Sequence, residues 1–147
     1  MSRKKATTQA RFILDGSVAI AWCFPDEQDT YAQSVLDALA DGSALVPDLW
    51  HLEVANVLLI GERRKRSTQA DTVQWLQFLD ALKITVDPET RPRAFREIIS
   101  LARTHNLSAY DAAYLKLALR HALPLATLDH KLRGAVRSAG VALFPFV

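Results

Sequence analysis

The sequence predicts an α/β fold, a three-layer sandwich in which helices flank a mostly parallel central sheet. Short apolar segments alternate along the chain with longer segments of helical periodicity, as in successive βαβ units. Several short segments are continuously apolar, which is typical of parallel strands covered on both faces. With 147 residues and 50% hydrophobic content, the chain is predicted to form a single domain over 1–147.

Local signals define the elements of the first half. Pro25 ends the first helix, Asp41-Gly42 ends the second, and Asp48 is the predicted cap of the third. The predicted elements are a flexible basic arm (1–10), a strand (Arg11–Leu14), a helix (17–24), a helix (30–40), a strand (44–46) and a helix (49–64).

Caps also define the second half. Thr68 and Asp71 have the spacing of a capping box, and Asp129 is a favourable helix cap after an apolar run. The predicted elements are a helix (68–82), a strand (83–86), a helix (91–104), a helix (108–121), a strand (123–128), a helix (129–138) and a strand (141–144).

Composition and motifs exclude several classes of protein. The apolar run from Phe12 to Phe24 is interrupted by Asp15 and is too short to cross a bilayer, so no membrane association is expected. A single cysteine, Cys23, excludes an internal disulfide and suits a cytoplasmic location. The sequence contains no GxGxxG, GxxxxGK[ST] or GxSxG motif, and its four histidines lack zinc-ligand spacing.

Four carboxylates fall where strands of the predicted sheet end. Asp15 follows the first strand, and Asp129 follows the strand over 123–128. Glu53 and Asp111 lie in the first turns of helices. Ligands of open parallel sheets bind beyond the carboxyl ends of the strands, so the four acids are expected to meet there. Outside these four, basic residues outnumber acidic ones, which suits a polyanionic ligand.

Each acid also has an ordinary structural explanation. Asp15 precedes Gly16 and is compatible with a turn or a helix cap, and Asp129 is compatible with a cap alone. Asp111 lies three residues after Ser108, which is the spacing of a capping box. Taken singly, these residues leave both explanations open.

The helical faces favour a metal site. Asp111 lies on the apolar face formed by Leu107, Tyr114, Leu115 and Ala118, and Glu53 shares a face with apolar residues. Neither face offers Lys or Arg, so the charge requires protonation or a shared cation. An all-oxygen ligand set favours Mg²⁺ or Mn²⁺ over zinc. The predicted chemistry is metal-assisted hydrolysis of a phosphodiester.

These residues resemble the motifs of the PIN domain family, in particular of VapC-like toxins from bacterial toxin–antitoxin pairs. The similarity extends from Phe12 to Phe144. The matching segments are Leu14-Asp15-Gly16-Ser17-Val18, Glu53-Val54-Ala55-Asn56, Tyr110-Asp111-Ala112-Ala113-Tyr114 and Ala126-Thr127-Leu128-Asp129.

The resemblance implies an endoribonuclease that needs Mg²⁺ or Mn²⁺, forms a homodimer and is inhibited by a cognate antitoxin. By position, the metal-site acids are Asp15, Glu53, Asp111 and Asp129. Polar residues at matching positions beside them are Ser17, Asn56 and Thr127. Housekeeping nucleases share these motifs. A non-catalytic PIN-like module, which docks a partner through its acidic pocket, is the alternative function.

Basic residues near these motifs are candidate contacts to the RNA backbone. Their ordinary role as solvated surface residues is an equally good explanation. The candidates are Arg63, Arg64, Lys65, Arg66, Lys131 and Arg133.

Overall fold

The computed structural model describes residues 9–145, so most of the predicted basic arm lies outside the described residues. The helices and strands alternate as the sequence predicts. In chain order they are β1 (Arg11–Leu14), α1 (Gly16–Cys23), α2 (Thr30–Leu39), β2 (Ser43–Pro47), α3 (Trp50–Arg63), α4 (Gln69–Asp80), β3 (Ile84–Asp87), α5 (Thr90–Arg93), α6 (Ile99–His105), α7 (Ala109–His121), β4 (Leu125–Ala126) and α8 (His130–Ser138). A 3₁₀ turn (Pro25–Glu27) follows α1, and a π turn (Ala94–Ile98) joins α5 to α6.

The strands form one sheet in the order β3-β2-β1-β4, and each pairing is parallel. This confirms the predicted α/β class. The chain steps from β1 outward to β3 and then returns to β4 on the other side of β1. Since parallel crossovers are right-handed, α1–α4 cover one face and α5–α7 cover the other. The strand order therefore reverses between β1 and β4, which is where open α/β sheets bind ligands.

Several helix ends follow the predicted capping. Thr68 and Asp71 form the full capping box of α4, and the Asp129 carboxylate accepts the backbone N–H of Leu132 at the start of α8. Gly42 directly precedes β2. Glycine is needed at this position because a Cβ there would lie 2.4 Å from the Ala10 carbonyl oxygen. The predicted cap at Asp48 is wrong: α3 begins at Trp50 with Leu49 as its cap residue and no side-chain cap.

The two C-terminal strands are shorter than predicted. Of the strand predicted over 123–128, only Leu125–Ala126 pairs in the sheet. The N–H groups of the next two residues instead donate to hydroxyls, Thr127 to Tyr31 and Leu128 to Ser17. The strand predicted over 141–144 is reduced to an isolated parallel bridge between Leu125 and Leu143.

The helix predicted over 91–104 is divided by the π turn. Ile98 of this turn is buried against Ala112 and Ala113 of α7. A single α-helix pattern in the sequence does not reveal this local change in winding. Within residues 9–145, every helix is too short or too polar to span a lipid bilayer.

A buried ion-pair cluster lies at the end of β3. Asp87 is buried, accepts a hydrogen bond from the Arg120 guanidinium and lies 3.4 Å from Nε2 of His121. Burial favours the neutral carboxyl, but hydrogen bonds from Arg120, the Glu89 backbone and His121 outweigh it. They hold the pKa of Asp87 below its ordinary value. The cluster fastens α7 to the sheet.

Candidate metal centre

Asp15 lies at the carboxyl end of β1, at the point where the strand order reverses. Its backbone N–H donates to the Ala126 carbonyl of β4, and the residue is only 7% exposed. One carboxylate oxygen, Oδ2, accepts hydrogen bonds of 2.7 Å from both Ser17 and Thr127. Burial nevertheless raises the pKa of Asp15, and the charge of Asp129 raises it further.

The hydroxyls that hold Asp15 also bind the backbone of the neighbouring β4–α8 connection. Ser17 Oγ accepts the N–H of Leu128 at 3.1 Å, and Thr127 Oγ1 accepts the N–H of Asp129 at 3.0 Å. Each hydroxyl therefore donates to Asp15 and accepts from the adjacent loop. This network fixes the ends of β1 and β4 relative to each other.

Glu53 projects from the first turn of α3 and is held by α7. The Tyr114 hydroxyl donates to Glu53 Oε1, and the Tyr114 side chain is completely buried. Burial raises the pKa of Glu53; the hydrogen bond from Tyr114 lowers it, and the charges of Asp15 and Asp111 raise it again. The net pKa is raised, mainly by burial, and the contributions of Asp15 and Asp111 place Glu53 within electrostatic reach of both acids.

Asp111 and Asp129 complete the group. Asp111 lies in the first turn of α7, where its backbone N–H is capped by Ser108. Burial raises the pKa of Asp111, and the charges of Asp15 and Asp129 raise it further. Asp129 is exposed and caps α8 through one oxygen, Oδ1. The predicted capping role of Asp129 is therefore confirmed. Its negative charge also raises the pKa values of Asp15 and Asp111.

The four acids are not neutralised by basic side chains. None of them takes part in an ion pair with another residue of 9–145. Several like charges around a buried carboxylate are unfavourable unless a cation joins them. As they stand, no three His, Cys, Asp or Glu side chains of the described chain are arranged to enclose an ion. The acids approach one another without closing into a coordination sphere, and their oxygen donors fit a hard divalent cation.

The other predicted residues have different environments. Ser17 and Thr127 hold Asp15, whereas Asn56 is exposed and makes no side-chain hydrogen bond to residues 9–145. Arg66 pairs with Asp26 and Glu27.

Among the remaining cations, Arg133 donates to the Thr127 carbonyl at 2.7 Å and lies over the Tyr31 ring. Lys131 is exposed, and its charge offsets a small part of the rise in the pKa of nearby Asp111 that burial and the other acids cause. Arg63, Arg64 and Lys65 are exposed at the far end of α3, about 15 Å along the helix axis from Glu53. Lys131 is therefore the better placed of the exposed candidates.

Sequence reasoning misses two supporting residues. Tyr114 lies on an apolar helical face and resembles a core residue, so its hydrogen bond to Glu53 is not predicted. Tyr31 accepts the Thr127 N–H from a helix almost a hundred positions away. The only signal for Tyr114 is that its polar hydroxyl is buried on the same face as Asp111.

Comparison with known proteins gives one consistent family. The PIN domain family model matches residues 12–137. Ribonuclease VapC3 of Pyrobaculum aerophilum is 31% identical over 126 residues, covering 83% of this chain and 92% of that protein.

Two solved structures are similar in fold. PAE2754 from Pyrobaculum aerophilum has a TM-score of 0.64 at 22% identity, with 86% of both chains covered. FitAcB from Neisseria gonorrhoeae has a TM-score of 0.53 at 22% identity, covering 90% of this chain and 96% of that one.

Proposed function

Because this chain belongs to the PIN domain family, we propose that it is a metal-dependent endoribonuclease, the toxin of a VapBC-type toxin–antitoxin pair. The observation that supports the proposal is that Asp15, Glu53 and Asp111, near the point where the strand order reverses, each feel the negative charge of at least one other of the four acids and form no ion pair within residues 9–145. The similarity to a ribonuclease over most of both chains supports RNA as the substrate.

Asp15, Glu53, Asp111 and Asp129 would hold the ion. Bound Mg²⁺ or Mn²⁺ supplies Lewis-acid stabilisation of the charge that develops on the phosphate oxygens. Ser17 and Thr127 fix the orientation of Asp15 through its Oδ2 atom. Tyr114 occupies Oε1 of Glu53, which leaves the second oxygen of Glu53 to orient the attacking water. Lys131 lies near Asp111 and attracts the phosphate backbone.

The proposed assembly is a homodimer inhibited by a cognate antitoxin protein in the cytoplasm. These properties rest on the family, and the exposed apolar residues Leu52 and Leu59 of α3 provide a surface that such a protein partner can cover.

Cleavage of defined RNAs with added Mg²⁺ or Mn²⁺, and with EDTA, tests the nuclease proposal. We expect product only with the divalent ion, and restoration of activity when the ion is returned after EDTA. Cleavage that is unaffected by EDTA would contradict the metal requirement. If the protein is instead a non-catalytic binding module, no RNA is cleaved at any ratio of Mn²⁺ to protein.

Tyr114→Phe is expected to lower kcat about ten-fold or more while KM for RNA changes little. The substitution removes the hydroxyl that holds Glu53 and keeps the buried ring, and a hydrogen bond to a charged group contributes about 1.5–3 kcal/mol. Steady-state cleavage measures both constants. Tyr110→Phe, which removes an exposed hydroxyl, serves as a matched control for loss of a tyrosine hydroxyl away from Glu53. A Tyr114→Phe protein with unchanged kcat would show that Glu53 needs no such support.

A further inference from the structure

Thr127 is held by side chains at all three of its polar groups. Its hydroxyl donates to Asp15 Oδ2 at 2.7 Å, and the residue is completely buried. Its backbone N–H donates to the Tyr31 hydroxyl at 3.3 Å, and its carbonyl accepts a hydrogen bond of 2.7 Å from Arg133 Nε. Within residues 9–145, neither backbone group of Thr127 bonds to another backbone group. The position of Thr127 beyond the end of β4 therefore depends on Tyr31 and Arg133.

The Tyr31 hydroxyl is inserted between two segments that are paired one step earlier. The Leu125 N–H donates to the Ala142 carbonyl, and the Phe144 N–H donates to the Leu125 carbonyl. If this parallel ladder continued, the Thr127 N–H would donate directly to the Phe144 carbonyl. Instead, the Tyr31 hydroxyl donates to the Phe144 carbonyl and uses a lone pair to accept the Thr127 N–H. This insertion separates Thr127 from the C-terminal segment.

We propose that Tyr31 and Arg133 are positioning residues of the acid centre, which act on Asp15 through Thr127. This inference rests on the proposed nuclease function and assigns two further residues to it. A hydrogen bond weakens steeply when its length and angle depart from their preferred values, so Thr127 can donate well to Asp15 only from a fixed position. The Thr127 hydroxyl also accepts the Asp129 N–H at 3.0 Å. A displaced Thr127 would therefore disturb groups at two of the four acids.

The contacts of Arg133 favour this role over a contact to the RNA backbone. Its guanidinium carbon lies 4.5 Å from the centre of the Tyr31 ring, and Arg133 is partly buried, whereas Lys131 of the same helix is exposed. A phosphate contact depends mainly on positive charge, which lysine also supplies. Donation from Nε and stacking on the ring require the planar guanidinium. Replacing Arg133 with lysine therefore distinguishes the two roles.

Steady-state RNA cleavage by wild type, Tyr31→Phe and Arg133→Lys tests the inference. Tyr31→Phe keeps the ring beside Arg133 and removes the acceptor of the Thr127 N–H, so we expect kcat to fall about three-fold to ten-fold. Arg133→Lys keeps the charge, and we expect kcat to fall about ten-fold with little change in KM. Wild-type kcat in either variant, or an effect of Arg133→Lys on KM alone, would overturn the inference.

A double-mutant cycle shows whether the two residues act through Thr127. Thr127→Val removes the hydroxyl that donates to Asp15 and keeps a branched side chain of similar size. In this background, Tyr31→Phe and Arg133→Lys should each lower kcat by less than about two-fold, because the hydroxyl that they position is already absent. If the reductions in kcat instead multiply, the two residues act independently of Thr127 and the inference is wrong.

Trp22→Phe is the matched control for a loss of stability. Trp22 Nε1 donates to the Ala32 carbonyl of α2, the helix that contains Tyr31, at 2.7 Å. Loss of this hydrogen bond should lower the melting temperature, as Tyr31→Phe does. It should nevertheless leave kcat within about two-fold of wild type at temperatures well below melting. If Trp22→Phe loses as much kcat as Tyr31→Phe, general loosening of α2 explains both variants and the inference fails.

Measurements without RNA separate this inference from the nuclease proposal. In metal-free protein, amide exchange at Thr127 and Asp129 should accelerate about three-fold to ten-fold in Tyr31→Phe and stay unchanged in Trp22→Phe. Mn²⁺ affinity, measured from the electron paramagnetic resonance signal of free Mn²⁺, should fall by a similar factor in Tyr31→Phe and Arg133→Lys. Both results in a protein that cuts no RNA would contradict the nuclease and support the positioning role. Unchanged exchange and unchanged Mn²⁺ affinity in a protein that does cut RNA would overturn the positioning role while the nuclease stands.

Discussion

Asp15→Asn is expected to lower metal-dependent RNA cleavage roughly a thousand-fold or more and to raise the melting temperature of the metal-free protein by a few degrees. The loss of activity follows from removing the most buried negative charge of the four-acid group. The gain in stability has the same origin. Without a cation, Asp15 is repelled by nearby acids, and its burial disfavours the charge. The amide oxygen of the substituted side chain can still accept hydrogen bonds from Ser17 and Thr127, so the fold is retained.

The two effects are measured by single-turnover cleavage and by thermal unfolding in EDTA. Adding Mn²⁺ should raise the melting temperature of wild type and have little effect on Asp15→Asn. Asp111→Asn should lose activity in the same way, because Asp111 belongs to the same group. The exposed Asp41 is the control, and Asp41→Asn should leave both measurements unchanged. Full cleavage by Asp15→Asn and Asp111→Asn would defeat the proposed metal centre.

Asp87→Asn is expected to lower the free energy of unfolding by about 3 kcal/mol, or roughly 10 °C in melting temperature. Asp87 is the buried acceptor for Arg120 and is close to His121 at the end of β3. Its loss leaves a largely buried guanidinium without a counter-charge. The effect lies at the lower end of the range for buried pairs because the Arg120 side chain keeps 21% exposure. RNA cleavage measured well below the melting temperature should persist.

The pH dependence of this destabilisation gives an independent check. The pKa of Asp87 is lowered in the folded protein from its ordinary value of 3.8, so the ionised carboxylate stabilises the fold at neutral pH. This contribution is complete above the ordinary pKa and is lost as pH falls below it toward the folded pKa. Denaturant unfolding of wild type and Asp87→Asn should thus differ fully at pH 7 and converge below about pH 4. A difference that stays constant from pH 7 to pH 3 would contradict an electrostatic cause.

Much of the architecture can be predicted because local physical chemistry determines it. The strand Arg11–Leu14 has its predicted bounds, and the capping box at Thr68 and Asp71 is confirmed. The predicted strand bounds are wrong where backbone groups bond to side chains that are distant in the sequence and not to a neighbouring strand. Thr127 and Leu128 have the apolar surroundings of a strand, but their N–H groups bind side chains of Tyr31 and Ser17. A pattern along the chain contains no information about such partners.

The candidate site likewise contains residues that the sequence indicates and residues that it does not. The proximity of Asp15 and Asp129 follows from strand order, since Asp15 directly follows β1 and Asp129 comes three residues after the end of the adjacent parallel strand β4. Glu53 and Asp111 stand out because a carboxylate on an apolar helical face needs a partner. Tyr114 does not stand out, because a buried tyrosine on an apolar face resembles ordinary core until its hydroxyl partner is located. That the four acids hold a metal stays a prediction.

The spacing of the four acids also bears on when the protein becomes active during translation. Asp15 leaves the ribosome more than a hundred residues before Asp129, which caps α8 shortly after β4, the strand that pairs with β1. A nascent polypeptide therefore cannot bring the four acids together until Asp129 has been synthesised. Any activity of these acids against RNA would thereby begin only after the segment from Asp15 to Asp129 has been translated.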